Sequence, residues 1–301
     1  MVILPVGSSY GKKVMSCINH LTFSIPSGRT LESPLQIRLH QASTKDENQG
    51  ENETNTGFIM WPSAVMLSHY LSNNPHVLRG DDTPDGDVME LGSGCGLAGL
   101  TAAALMQNDG STSDDKVVFT DYNRAVLENL KRNIELNDFV VQHEVLALDW
   151  FDQQPLEDSS DPVEKEANTW VDMDGTSHGQ FRLIIGADLL VCTNDAELVA
   201  ATIYRALMEG GRALILGPSS NRRFGLATFP DACREKGMTV TVDENILDAN
   251  RTSGFDTERS RQKLMNGLEL GGYNQRANSL GHDFTVFTID KPITTTSYGL
   301  G

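Results

Sequence analysis

The chain is 301 residues long, with 24 Lys+Arg against 41 Asp+Glu and a formal net charge of −17. That length allows one large α/β domain or two small ones, with enough interior to fold without covalent staples. A pI of about 4.7 argues against unaided nucleic-acid binding, which needs a basic footprint, and against docking on anionic membranes.

The four cysteines, Cys17, Cys95, Cys192 and Cys233, lie far apart and form no C-x-x-C pair. A disulfide scaffold and a cysteine-based zinc site are therefore not expected, and a reducing compartment fits best. The expected location is the cytoplasm, with the nucleus as a second option. Residues 1–31 carry Lys12, Lys13 and Arg29 and no acid, a composition that also suits an organelle transit peptide. The alternation Leu21-Thr-Phe-Ser-Ile25 followed by Ser27-Gly28-Arg29 reads better as a strand and a turn. No apolar run reaches about 18 residues, so no transmembrane helix is expected. The histidines show no metal-ligand spacing and most read as surface residues; no metal is expected. Asn52-Glu-Thr54 and Asn250-Arg-Thr252 match glycosylation sequons and are read as chance.

The polar segment 41–57 reads as a flexible loop. Pro62 suits the first turn of a following helix, with Met60, Ala64, Leu67 and Leu71 on one face. Asp81, Asp82, Asp85 and Asp87 make an acidic turn before a short strand at Val88–Leu91. A glycine-rich turn then opens an Ala/Leu-rich helix over Leu97–Gln107. Lys116–Asp121 is a strand ending in an acid, and Asn123 caps a helix with Val126, Leu130 and Ile134 on its stripe. Further strands are expected at Val145–Trp150, Arg182–Asp188, Arg212–Gly217, Thr239–Val242 and Asp283–Asp290. In the last of these, Phe284, Val286 and Thr288 alternate on one face. Helices are expected at Asn194–Glu209, stopped by Gly210-Gly211, and within 223–236, where Pro230 obscures the start. Residues 152–180 and 244–281 read as polar insertions. The alternation argues for an open, largely parallel sheet with helices on both faces. The expected layout is N-terminal strands and loop to residue 57, a catalytic domain over 58–292 carrying both insertions, and a tail at 293–301.

The sharpest motif is Glu90-Leu-Gly92-Ser-Gly94-Cys-Gly96-Leu-Ala-Gly99, between a strand and a helix. Glycines there permit a tight turn and close approach of a ligand to the backbone. A tight turn without a ligand is the plainer alternative. Gly94, Gly96 and Gly99 satisfy G-x-G-x-x-G, so a dinucleotide enzyme is a candidate. Asp121 ends the next strand, where a carboxylate can accept from both ribose hydroxyls of a nucleoside. Spacing does not separate NAD from S-adenosylmethionine. What separates them is Glu90 just ahead of the glycines, and Leu148-Asp149-Trp150, which offers a carboxylate and an aromatic ring for an adenine. Ser93 makes no G-x-S-x-G elbow, so a hydrolase is not indicated. Trp61 and Trp150 also suit plain core positions. Arg222-Arg223 reads as solvated loop charge, with an acidic substrate group as the alternative.

Glu-Leu-Gly-Ser-Gly-x-Gly-Leu at 90–97, Phe-Thr-Asp-Tyr-Asn at 119–123 and Asn129-Leu-x-x-Asn133 resemble the seven-β-strand protein-lysine methyltransferases of methyltransferase family 16. So do Phe58-Ile-Met-Trp61-Pro62-Ser-Ala64, Leu-Asp-Trp at 148–150 and Gly186-Ala-Asp188-Leu-Leu. The resemblance covers about residues 20–290. It implies a class I Rossmann-like fold, a mostly parallel seven-stranded sheet whose last strand is antiparallel. It also implies S-adenosylmethionine as methyl donor. Carried over by position, Glu90, Gly92, Gly94 and Gly96 cradle the methionine and ribose end. Asp121 holds the ribose, Asp149 and Trp150 border the adenine, and Trp61 covers the donor. Ala187 and Asp188 stand beside the transferable methyl, Asp188 as the catalytic residue. The family commonly shows Asp-x-x-Tyr or Asp-x-x-Phe here, whereas this chain has Asp188-Leu-Leu-Val191, with Cys192 next.

The leading expectation is a monomeric methyltransferase acting on lysine of a non-histone protein. A small molecule or another side chain is the alternative acceptor, and a non-catalytic interaction module is the alternative class. An NAD-dependent oxidoreductase remains a lesser one. RNA or DNA is disfavoured by the charge and by the absence of an N/D-P-P-Y/W motif. Residues 149–174 hold nine acids and one lysine, a net of −8. This stretch reads as a solvated insertion, or as an attractor for a lysine-rich protein.

Overall fold

Seven strands form the central sheet. They are β3 (Val88–Leu91), β4 (Val117–Asp121), β5 (His143–Ala147), β8 (Phe181–Ala187), β9 (Leu207–Pro218), β10 (Thr239–Asp243) and β11 (Phe284–Asp290). Their order across the sheet is β10-β11-β9-β8-β3-β4-β5. β3, β4, β5, β8 and β9 pair in parallel, while β11 is antiparallel to β9 on one side and β10 on the other. The expected α/β class and the antiparallel last strand are both present. The computed structural model describes residues 19–25, 35–41, 56–79, 83–108, 115–138, 141–153, 170–219, 223–244 and 284–293. The loop expected at 41–57, the turn at Ser27–Arg29, Asp81 and Asp82 lie wholly or mostly outside those residues. So do Cys17, both sequons, Arg222, the stretch 244–281 and the tail.

Period-two alternation divides the sheet's side chains between two layers. Leu183, Ile185, Leu214, Leu216, Phe284 and Val286 face a core completed by α1 (Pro62–Asn73), α3 (Leu97–Asn108) and α4 (Arg124–Glu135). A four-residue helix, α2 (His76–Arg79), follows α1. Ile184, Ala213, Ile215, Phe287 and Ile289 face the other core, against α5 (Thr193–Ala206) and α6 (Phe224–Glu235). The hydrophobic runs of β3 and β8 are buried on both faces, as central parallel strands must be.

The Asn123 side chain accepts from the Ala125 and Val126 amides and caps α4. Asn129 and Asn133 on that helix, and Asn137 in the turn just past its end, then grip a backbone edge. The N-terminal hairpin of β1 (Asn19–Ile25) and β2 (Leu35–Gln41) presents that edge. Asn137 accepts from Arg38 N at 2.9 Å and donates to Arg38 O at 2.8 Å. Asn133 accepts from His40 N at 2.6 Å and donates to His40 O at 3.2 Å and Cys95 O at 2.9 Å. The Asn129-Leu-x-x-Asn133 motif is thus a clamp joining hairpin, helix and glycine turn.

Two boundaries differ from expectation. The helix after residue 193 ends at Ala206, and Gly210-Gly211 lie inside β9, where the pairing with β8 shifts register. The Lys291 ammonium donates to Tyr204 O at 2.7 Å and Leu207 O at 2.8 Å, capping the helix there. β5 runs 143–147, and Leu148–Trp150 lie beyond its end. α6 continues through Pro230, which forgoes one backbone hydrogen bond without ending the helix.

The insertion at 152–180 is not wholly loop. β6 (Trp170–Val171) and β7 (Ser177–His178) form a small hairpin. Trp170 is fully buried and stacks on the His178 ring at 4.4 Å, and Asp172 pairs with His178 at 2.8 Å. Gln153 clamps Val171 through both its amide atoms. Among the described histidines, His69 is buried, His40 and His178 are half-buried, and His76 and His143 are exposed.

Candidate active site

Strand order reverses around β3 and β8, and in such sheets the crevice beyond the strands' C-terminal ends receives the ligand. A cavity of about 420 Å³ lies there. Trp61, Glu90, Gly92, Gly94, Gly96, Asp121, Asp149, Trp150, Ala187 and Asp188 all line it. The structure thus gathers every site residue expected from the sequence into one space.

The glycine turn is shaped for a close approach. Gly92, Gly94 and Gly96 have φ of +57°, +52° and +84°, conformations that side-chain-bearing residues resist. A Cβ at Gly92 would sit 2.6 Å from Leu189 Cδ2 and 3.4 Å from Trp150 Cζ2. Behind the turn, Glu90 Oε1 accepts from Gly99 N at 3.0 Å, while Oε2 is buried with no hydrogen-bond partner. Burial drives the Glu90 pKa up to about 8, with neighbouring Asp121 adding to the rise.

Asp121 is positioned by backbone donors, Gly94 N to Oδ2 at 3.1 Å and Asn123 N to Oδ1 at 3.0 Å. Burial raises its pKa and these amides oppose the rise. Asp149 Oδ1 accepts from Phe151 N at 2.9 Å, just past β5. Trp150 is partly buried against the core under α5 and α6 and supplies a flat wall. Trp61, the residue before α1, donates its indole N–H to Thr56 O at 3.0 Å.

Asp188 directly follows β8 with φ +60°, a left-handed conformation that Asp tolerates better than most residues. Its side chain is 5% exposed, and burial raises its pKa against the pull of Arg223 and Ser63. Arg223 Nε lies 3.0 Å from Asp188 Oδ1. The same guanidinium sits over the Trp61 ring, 5.6 Å from its centre. Arg223 is therefore not solvated loop charge, because a buried carboxylate and an indole enclose it. Sequence reasoning also missed Tyr122, Phe151 and Asp195 in the cavity wall. Asp195 accepts from Cys192 N at 2.6 Å, a helix-start pattern visible in the spacing of these residues. Val191, 43% exposed, lines the cavity where the family pattern has an aromatic. Burial pushes the Cys95 thiol up to about 12, so it is unsuited to act as a nucleophile. No metal-binding cluster occurs among the described residues.

A family model described as lysine methyltransferase matches residues 42–223, more than half of the chain. The chain belongs to the lysine methyltransferase family. It is 36% identical over 198 residues to a calmodulin-lysine N-methyltransferase of Arabidopsis thaliana, covering 64% of this chain and 55% of that protein. It is 32% identical over 132 residues to the mouse protein N-lysine methyltransferase METTL21A, covering 44% of this chain and 47% of that one. It is 25% identical over 177 residues to the mouse protein-lysine N-methyltransferase EEF2KMT, covering 58% and 43%. The chain thus spans about half the length of these relatives, at 55%, 47% and 43%. Among solved structures, a methyltransferase from Pyrococcus furiosus aligns with a TM-score of 0.42 at 13% identity, over 74% of this chain and 84% of that one. The matched region includes both Asp188 and Arg223.

Proposed function

We propose that the chain is an S-adenosylmethionine-dependent N-methyltransferase that methylates lysine in a non-histone protein. The observation that carries this reading is the shared cavity, which joins a glycine cradle, a backbone-held carboxylate and Asp188 in a lysine methyltransferase family member. The residues fit such a donor. The cradle has room only where side chains are missing, and Glu90 Oε2 is a buried oxygen awaiting a partner. When bound, the donor supplies a methyl group on a sulfonium, a carbon already activated for displacement.

Glu90, Gly92, Gly94 and Gly96 hold the amino-acid end, Asp121 the ribose hydroxyls, and Asp149 and Trp150 the base. Trp61 and Ala187 close the space near Asp188. Asp188 orients the acceptor amine, which must arrive neutral. The lone pair of that amine would form the new bond to the methyl carbon, with the carbon–sulfur pair staying on the donor's sulfur. The apolar wall of Leu189, Val191 and Leu198 favours loss of the amine's proton by desolvation, against the pull of the cavity's carboxylates. We further propose that the acids between residues 149 and 174 attract a lysine-rich partner. We place the enzyme in the cytoplasm or nucleus, as a monomer.

Calorimetry tests the donor: S-adenosylhomocysteine should bind, and binding of NADH in its place refutes the reading. Asp188→Ala should leave that affinity nearly intact and abolish transfer; full turnover removes Asp188 from catalysis. Radiolabelled methyl transfer into a lysate, followed by protease and nuclease digestion, should put the label in protein. One observation favours a second reading, a small-molecule or other side-chain acceptor. Val191 leaves the cavity mouth without the family's aromatic wall, and label surviving protease treatment would support that reading. Neutralising Glu157, Asp158, Asp161, Glu164 and Glu166 tests the attraction and spares Trp170. An unchanged KM for the protein substrate would refute it.

A further inference from the structure

Asp188 is a carboxylate withdrawn from water on a strained backbone, 5% exposed with φ +60°. Charged and polar groups surround it from every side of the site. Ser63 approaches from α1 and Arg223 from the start of α6. Glu90, Asp121, Asp149 and Asp195 line the same cavity from β3, β4, the end of β5 and α5. Among the described residues no cation lines that cavity, whose charged walls are all acidic.

Arg223 stands outside the cavity, in a narrow crevice behind Asp188 with Leu190, Pro218 and Leu226. Its side chain is 15% exposed, with Nε at 3.0 Å from Asp188 and the Trp61 ring centre at 5.6 Å. Neither Nε nor Asp188 Oδ1 is aligned for a hydrogen bond. The pair is a charge at close range rather than a locked fork, which leaves the carboxylate lone pairs for an incoming amine.

We propose that Arg223 is a positioning residue that acts through Asp188, keeping its carboxylate ionised in the cavity wall while its guanidinium plane braces Trp61. The inference rests on the reading of Asp188 as the group that orients the acceptor. Charge and shape have separable parts here. A lysine at 223 supplies a positive charge but no plane to stack on the indole.

The test observes Asp188 directly. Protein labelled with ¹³C at the aspartate carboxyl carbons is titrated by NMR, with the Asp188 signal assigned by its loss in D188N. R223Q should raise the Asp188 midpoint by about one to three pH units, the range for losing an opposite charge at this distance. R223K should hold the midpoint near wild type while changing the Trp61 environment. R223M serves the same measurement if R223Q does not fold. An unchanged midpoint in the neutral variants overturns the proposal. The acid limb of kcat/KM for methyl transfer should move with the midpoint in R223Q. A midpoint that moves while the acid limb stays would support the Arg223–Asp188 coupling and refute the role given to Asp188, so the two failures are distinguishable.

Discussion

Replacing Glu90 with glutamine should make the protein more stable at neutral pH and weaker at holding a cationic donor. Glu90 is fully buried, with a pKa of about 8 against an ordinary 4.5. A carboxyl raised in this way contributes stability that is fully present below about pH 4.5 and is lost as pH rises through about 8. At pH 7 the unfolded chain has released the proton and the folded chain still holds it. Over the 2.5 units between 4.5 and pH 7, at about 1.4 kcal/mol per unit, the folded state gives up about 3 kcal/mol. The glutamine side chain has no proton to release. It fills the same volume, and its amide oxygen can keep the Gly99 N–H bond. Its amide NH2 is no worse placed than a carboxyl O–H, since Oε2 has no partner in either case.

The assay is denaturant unfolding of wild type and Glu90→Gln between pH 4.5 and 9. Asp121 and Asp188 also have raised pKa values and tilt both curves, so the difference between the curves reports Glu90 together with its coupling to Asp121. That difference should grow by about 3 kcal/mol from pH 4.5 to pH 7 in favour of the glutamine variant. Parallel curves would refute the reasoning, as would a glutamine variant that loses ground as pH rises. The same linkage predicts that a cationic donor draws the proton off Glu90. Calorimetric enthalpies for S-adenosylmethionine at pH 7 should therefore depend on the buffer's ionisation heat, and that dependence should vanish in Glu90→Gln.

Other perturbations have equally specific readouts. Asn133→Ala strands His40 N and Cys95 O at once, so it should cost about 2–4 kcal/mol and expose the β2 amides to hydrogen exchange; unchanged protection would refute the clamp. Gly92→Ala must hold φ +57° at a cost of about 1–2 kcal/mol and push a methyl group toward Leu189. It should weaken S-adenosylhomocysteine binding by about tenfold or more, and an undiminished affinity would place the ligand elsewhere. His69 is held neutral by burial, with its pKa lowered to about 4, so its contribution is present above about 6.5 and lost as pH falls. Between pH 8 and pH 5 the wild type should lose about 2 kcal/mol on this account, a loss absent in His69→Leu.

What was legible in the sequence follows from where the determinants lie. The central strands read correctly because both faces are buried, and Ile184, Ile185 and Leu183 need no knowledge of their partners to be apolar. The glycine turn read correctly because φ above zero leaves few residue choices. The helix end at Ala206 did not, because its cap is an ammonium supplied from across the chain by Lys291. Gly210-Gly211 carries the same letters whether it stops a helix or bulges a strand. Trp170 sat in an acidic, polar stretch, and only the core behind Phe181 and Ala196 shows why an indole belongs there.

Arg223 marks the same limit at the site itself. An arginine after a Gly-Pro-Ser-Ser turn has the local signature of exposed charge, and nothing near it in sequence says otherwise. Its meaning comes from two distant residues that meet only in the fold, Trp61 before the first helix and Asp188 at the end of β8. The motif at each of those positions was readable because a backbone or an aromatic wall imposes it. The cation between them was not, because a buried carboxylate requires a counter-charge without specifying which segment brings it. The acid excess reaches into the site itself. Within the crevice it surrounds the cavity with carboxylates and leaves Asp188 dependent on one arginine behind the wall.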